Sequence, residues 1–326
     1  MNKKLKYPVS ERRYAKIVAT GSYLPERVLT NDHLAKMVDT SDQWIVERTG
    51  IHRRHVVTGD EGALSMAVAA ARDCLAEVPS SVVAQVGMVI VATCTSDYIF
   101  PGVACGVQSA LGLNARAVPA LDVSAACAGF VYALDLADQY IRTGKIGAAL
   151  VIGSDCMSSI VDWQDRSTCV LFADGAAAVL LQAANEPGII GTSLHADGGY
   201  VDMLYAKRRP AVPVTMRGNA TFKLAVTKLS EVLEELLAES GVTKDELDWL
   251  VPHQANIRII EATARRVGMS LDRVILTLME QGNTSAASVP LALDSGIKSG
   301  KIKRGDTLLL DAFGGGMTWG ASLIRY

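Results

Sequence analysis

Several things are missing from this 326-residue chain, and each absence removes a class of function. There is no large charge of either sign. Thirty-two Lys and Arg against 34 Asp and Glu leave -2, so no global field draws the protein to nucleic acid or an anionic membrane. None of the six cysteines (74, 94, 105, 127, 156, 169) stands in C-x-x-C spacing. That argues against a zinc site and a disulfide framework, and it fits a reducing cytoplasm. No apolar run approaches the roughly 20 residues of a membrane span. The segment from Met1 to Lys16 is basic, but no apolar stretch of the signal-peptide kind follows it. Hydrophobic residues at 49% against 20% charged exclude a disordered chain and leave room for about two domains, or one duplicated domain.

What is present centres on residues 122–130. An apolar run at 117–123 has strand character. Phe130, Leu134, Ala137 and Ile141 then recur at spacings of three and four, as on one face of a helix. Between them lie Ser124, Ala125, Ala126, Ala128 and Gly129, small enough for a sharp turn and a close approach by substrate. Cys127 in that turn sits at a helix N-terminus, where the dipole and free N–H groups favour the reactive thiolate. Taken alone, Cys127 reads equally well as one more buried small residue.

Strands and helices alternate along the rest of the chain, which points to an α/β layered fold. Residues 16–20 read as a first strand, after a polar lead-in at 1–14. Thr30 and Ser41 are candidate helix caps, the second opening a helix that carries Trp44 and Arg48 on one face. Residues 63–76 form an Ala-rich helix, and 86–93 and 147–153 are continuously apolar strands. Residues 169–181 read as one strand interrupted by Asp174-Gly175, and 197–217 as an irregular connection. A helix at 219–240 precedes a short strand at 249–251 that runs into Pro252-His253-Gln254-Ala255-Asn256. Ala133-Leu134-Asp135 with Thr143-Gly144-Lys145-Ile146 is echoed by Ala292-Leu293-Asp294 with Ser299-Gly300-Lys301-Ile302. Aligned on that echo, Cys127 falls opposite Ala286, close to Asn283. Two similar halves then bring Cys127 and the turn at 283 to one pseudo-symmetric centre, and a thiol, a histidine (His253) and an asparagine, all on strand-to-helix turns, make a set suited to acyl transfer. The turn at 314–316 offers a backbone N–H to an oxyanion.

Five segments carry a specific resemblance: DTSDQWIVERTGI at 39–51, VSAACAGF at 123–130, VPHQANIR at 251–258, GNTSAAS at 282–288 and AFGGGMTWG at 312–320. In this order they resemble the motifs of β-ketoacyl-acyl-carrier-protein synthase III, over about residues 15–326. The resemblance implies a thiolase-like five-layered αβαβα fold of two similar halves, 15–185 and 186–326, usually a cytoplasmic homodimer. It implies no cofactor, because acyl-CoA is a substrate. Cys127 takes an acyl group from acyl-CoA. His253 and Asn283 then stabilise the enolate formed as malonyl-acyl-carrier-protein loses CO₂, and the backbone N–H groups of Cys127 and Gly315 form the oxyanion hole.

The resemblance also assigns the outer contacts. Trp44 and Arg166 flank the CoA adenine, Arg48 meets its phosphate, and Gly218 and Asn256 line the pantetheine tunnel. Phe100 reaches into a partner's acyl pocket. Gln254, Ala255, Asn256, Ile257 and Arg258, with Lys223, Arg265 and Arg266, face an acidic carrier protein. The sequence departs from the pattern at Ala173 and Ala177, where glycine is common, and in a short segment at 200–213 near the expected tunnel mouth. Acetyl-CoA is the default primer. The alternatives are a related enzyme with another primer, a cysteine hydrolase, and a non-catalytic acyl-binding module.

Overall fold

The structure is a computed structural model that describes residues 13–326. Most of the expected N-terminal lead-in, residues 1–12, lies outside the described residues, and Tyr14 already belongs to the first strand, Tyr14–Tyr23.

Two mixed sheets form the frame. The first runs in the spatial order Tyr14–Tyr23, Asp174–Ala184, Ala148–Cys156, Val86–Ala92, Ala120–Val123. Its first two pairings are antiparallel and its last two parallel. The second runs Ile189–Ala196, Thr318–Arg325, Thr307–Gly314, Trp249–Pro252, again with two antiparallel pairings followed by a parallel one. A parallel bridge from Leu250 to Val274 takes the fifth place. The two sheets therefore share one strand plan.

Helices fill the space between the sheets and cover their outer faces. Gly129–Arg142 and Ser288–Lys298 lie in the central layer, where Phe130, Leu134 and Ile141 meet Val289, Ala292 and Leu293. The three- and four-residue spacing seen in the sequence is the reason: it gathers the apolar side chains on the buried stripe, each worth about 1.5–3 kcal/mol when fully buried. Ala63–Leu75 and Val103–Ala110 cover the first sheet. Gly218–Ser240 and Ile257–Val267 cover the second. The order is helix, sheet, helix, sheet, helix.

The repeat extends to backbone geometry. A 3-10 turn, Ala126–Ala128, precedes one central helix, and another, Ser285–Ala287, precedes the other. Each opens on a residue other than glycine at positive φ: Ala126 at 45° and Ser285 at 52°. Such backbone costs about 1–3 kcal/mol and persists where its surroundings enforce it.

Two local expectations need correction. Residues 169–181 are not one strand: Arg166–Cys169 is a short helix, and the strand starts at Asp174. The Asp174-Gly175 pair marks that start because the Asp174 carboxylate accepts hydrogen bonds from the Val57 and Ser158 amides. The irregular connection at 197–217 contains a two-stranded ribbon, Leu204–Arg208 with Ala211–Met216. A register shift and Pro213 hide its alternation from a sequence reading.

Candidate active site

Cys127 occupies the 3-10 turn ahead of the helix Gly129–Arg142 and is 6% exposed. Strands from the second half hold this turn. The Thr318 hydroxyl donates to the Ala125 carbonyl at 2.8 Å. Gly314 comes so close that a Cβ there would lie 2.5 Å from the Cys127 backbone nitrogen. The reverse contact exists too: a Cβ at Gly153 would lie 2.3 Å from the Ala286 carbonyl oxygen. Each half thus buttresses the other's turn. Asp155, fully buried, accepts from the Ala286 amide at 3.0 Å and from the Cys94 amide at 2.8 Å, which ties the halves together.

The thiol is not the ready thiolate that the helix N-terminus suggested. Burial pushes it up to about 12, against a hydrogen bond from Ser285 that favours the anion. Desolvation outweighs what favours the anion.

His253 follows the strand Trp249–Pro252 and is 5% exposed. Burial lowers it to about 4, so it is a neutral imidazole at pH 7. Its Nδ1 meets the Ser288 hydroxyl, which also lies 3.4 Å from the Gln254 amide as acceptor. With the Ser288 hydroxyl donating to Nδ1, the ring proton is on Nε2 and available as a donor. Asn283 is fixed similarly. Its Oδ1 accepts from the Ser285 amide at 2.9 Å, while its backbone bonds to Leu171 and Ala173. That leaves the Nδ2 hydrogens as donors. The site therefore offers two neutral donors beside a thiol.

Cys127, His253 and Asn283 all line one cavity of about 320 Å³, together with Trp44, Arg48, Gly218 and Asn256. A second cavity, of about 350 Å³, is also lined by Cys127 and includes Gly315 in its wall. The thiol thus faces two chambers.

The chain is similar to known proteins over most of its length. Residues 121–198 match the family described as 3-oxoacyl-[acyl-carrier-protein] synthase III, and residues 237–326 match its C-terminal part. The β-ketoacyl-[acyl-carrier-protein] synthase III of Coxiella burnetii is 53% identical over 318 residues, 96% of this chain and 99% of that one. That of Salmonella arizonae is 52% identical over 319 residues, 96% of this chain and 100% of that one. The crystal structure of the Aquifex aeolicus synthase III matches with a TM-score of 0.91 at 46% identity, covering 96% and 100%. The chain belongs to the synthase III family. It has the thiolase-like fold of these condensing enzymes and is a condensing acyltransferase.

The remaining residues that the resemblance singles out lie at the first cavity, on the outer face, in the core and on an exposed loop. Trp44, Arg48 and Arg166 come together: the two guanidinium carbons lie 4.6 Å and 4.8 Å from the Trp44 ring centre. At that spacing no slot is open between Arg166 and Trp44, and a flat base has to displace the guanidinium to stack. Asn256 caps the helix Ile257–Val267 through Oδ1, and its Nδ2 donates to the Arg48 carbonyl at 2.8 Å, joining the two walls of the first cavity.

On the outer face, Lys223, Arg258, Arg265 and Arg266 are exposed, and Ala255 and Ile257 are half-buried. Arg265 lies 3.8 Å from Glu261, and Arg266 lies 3.2 Å from Glu234. Gln254 departs from expectation. It is 1% exposed, donates to the Pro252 and Ile275 carbonyls, and accepts from the Thr277 and Leu278 amides. It cannot meet a carrier protein; it pins the turn that holds His253. Phe100 is 83% exposed, beside Tyr98 and Ile99.

Sequence reasoning missed Ser285, Ser288 and Asp155. The two serines lie in the quoted 282–288 segment, and their spacing of three and six from Gly282 carried no sign that they orient an amide and an imidazole. Among the described residues no helix is long and apolar enough to cross a membrane.

Proposed function

We infer that this chain performs the opening condensation of fatty acid synthesis, joining an acyl-CoA primer to malonyl-acyl-carrier-protein with loss of CO₂. The observation that carries the residue assignment is the convergence of Cys127, His253 and Asn283 on one cavity whose wall also includes Trp44 and Arg48. Cys127 Sγ attacks the acyl-CoA thioester carbonyl. The backbone N–H groups of Cys127 and Gly315 hold the tetrahedral oxyanion, and CoA leaves as its thiol with the proton the cysteine gave up. Malonyl-acyl-carrier-protein then binds along the vacated chamber. As its C–C bond to the carboxylate breaks, the electron pair becomes an enolate, whose oxygen takes hydrogen bonds from His253 Nε2–H and Asn283 Nδ2–H. Neither group titrates near pH 7 here, which suits a step that needs preorganised donors rather than a base. The carbanion attacks acyl-Cys127, the 3-oxoacyl-carrier-protein departs, and the cysteine sulfur recovers a proton.

Other features belong to the same reading. CoA enters past Trp44, Arg48 and Arg166, and its pantetheine passes Gly218 and Asn256. The acidic carrier protein docks on Lys223, Arg258, Arg265 and Arg266. The enzyme works in the cytoplasm as a homodimer, needs no cofactor, and divides near residue 185 into its two halves. The exposed Tyr98-Ile99-Phe100 stretch supports the dimer, because three large exposed hydrophobics in a row suit an interface.

Intact-mass spectrometry tests the assignment. Wild type mixed with acyl-CoAs should gain one acyl group, and malonyl-acyl-carrier-protein should remove it as a 3-oxoacyl product. Cys127→Ser should gain none. An adduct that survives in Cys127→Ser refutes the nucleophile assignment.

A further inference from the structure

The second chamber behind Cys127 is far larger than an acetyl group requires. It measures about 350 Å³, and most of its wall is apolar, including Met157, Ile160, Phe172, Leu204 and Val214. A cavity of about 150 Å³ accepts a six-carbon ring, or roughly 25 Å³ per carbon. On that scale the chamber holds about a dozen carbons, and an acetyl group fills about a seventh of it. Nor is its far side closed. Cys94, Ser124, Ile160 and Ala206 belong both to this wall and to that of an outer groove of about 770 Å³. The roof is the ribbon Leu204–Arg208 and Ala211–Met216, from which Leu204, Tyr205, Ala206 and Val214 face the chamber.

Resting on the condensing reading above, we propose that the primer is an acyl chain of about eight to twelve carbons, measured by this ribbon. The upper bound is the whole chamber. The lower bound allows for Phe100 of a second copy: a phenyl ring takes roughly 150 Å³, and the roughly 200 Å³ that remains still holds about eight carbons. A two-carbon primer leaves apolar wall unfilled, and each methylene that finds an apolar wall changes kcat/KM by about tenfold or more. The acyl group passes from CoA sulfur to Cys127 Sγ, CoA leaves as the thiol, and the chain lies under the ribbon while the thioester waits for malonyl-carrier-protein.

The test measures kcat/KM for acetyl-, butyryl-, octanoyl- and dodecanoyl-CoA with malonyl-acyl-carrier-protein, with the Cys127 adduct followed by mass. Octanoyl-CoA should exceed acetyl-CoA at least about tenfold. Val214→Phe and Ala206→Leu, one buried and one exposed on the ribbon, should each move the optimum to shorter chains. Ala206→Leu keeps the test valid if Val214→Phe fails to fold. Acylation of Cys127 by acetyl-CoA with octanoyl-CoA excluded overturns the primer assignment and leaves the condensing reading intact. An optimum unmoved by Ala206→Leu overturns the ribbon's role. No adduct from any of the four overturns the condensing reading and the primer assignment together.

Discussion

Asp311 offers a sharp test of the electrostatics around the site. It lies in the strand Thr307–Gly314 opposite Pro252, and its carbonyl accepts the His253 amide at 2.9 Å. Its side chain is fully buried, and neither carboxyl oxygen has a hydrogen-bond partner among the described residues. Burial raises it from 3.8 to about 7. Such a displacement is worth about 4 kcal/mol between the two protonation states. The sign follows from proton counting. Below pH 3.8 the carboxyl is protonated in both folded and unfolded chains, and the native state bears no penalty. Between 3.8 and about 7 the unfolded chain has lost the proton while the folded one retains it, so stability falls as pH rises, then levels off. His253 runs the other way. Lowered from 6.5 to about 4, it removes about 3 kcal/mol as pH falls from 6.5 to 4. In the parent protein the two slopes oppose each other over that window. Asp311→Asn removes one of them. Urea unfolding at pH 4, 5.5, 7 and 8.5 should show the variant gaining about 4 kcal/mol relative to the parent between the lowest and highest pH, on top of any constant offset from the amide. A stability difference that stays flat across this range refutes the argument, because it means that Asp311 is ionised in the folded protein at all four values.

The remaining predictions concern the proposed chemistry. Asn283→Ala should leave Cys127 acylation within a fewfold of wild type and slow CO₂ release by about a hundredfold, the usual loss for one oxyanion donor; single-turnover assays of both steps check this, and an equal loss in both counts against the division of roles. Alkylation of Cys127 by iodoacetamide should quicken about tenfold per pH unit from 7 to 10, because burial pushes the thiol up to about 12; a plateau near pH 7 contradicts that. Gly314→Ala should lower kcat by about a hundredfold, since its Cβ meets backbone at 2.5 Å and must shift the nucleophile. Wild-type kcat in a folded Gly314→Ala protein removes the case for the buttress.

The elements set by local pattern were legible in the sequence. The helix after Cys127 appears where its three- and four-residue spacing places it, and Phe130, Leu134, Ala137 and Ile141 are all fully buried. Ser41 caps the helix Asp42–Thr49 by accepting the Trp44 amide, and Arg48 lies over Trp44 as their spacing requires. What escaped depends on contacts across the fold. The ribbon at 204–216 reads as irregular because prolines and a register shift break its alternation. The thiol's direction was misjudged because a helix N-terminus is local, whereas the burial that outweighs it comes from both halves of the molecule. Gln254 was misplaced for a related reason. Its neighbours Asn256 and Arg258 are partly or fully exposed, but the amide reaches inward to partners up to 24 residues away.

The two strained turns show how a duplicated plan yields an asymmetric site. Ala126 and Ser285 hold the same unfavourable φ at matching places, so the strain belongs to the shared plan, not to the thiol alone. In the first half the residue after the strain is Cys127. In the second it is Ala286, which has no reactive group, and the strained residue itself takes on work. The Ser285 amide fixes Asn283 Oδ1, and its hydroxyl supplies the hydrogen bond that favours the Cys127 anion. One half thus presents the nucleophile and the other orients the donors. Because Gly314 supports the first turn and Gly153 the second, neither half can assemble its share alone. The site therefore forms at the junction, where the two halves press on each other's turns.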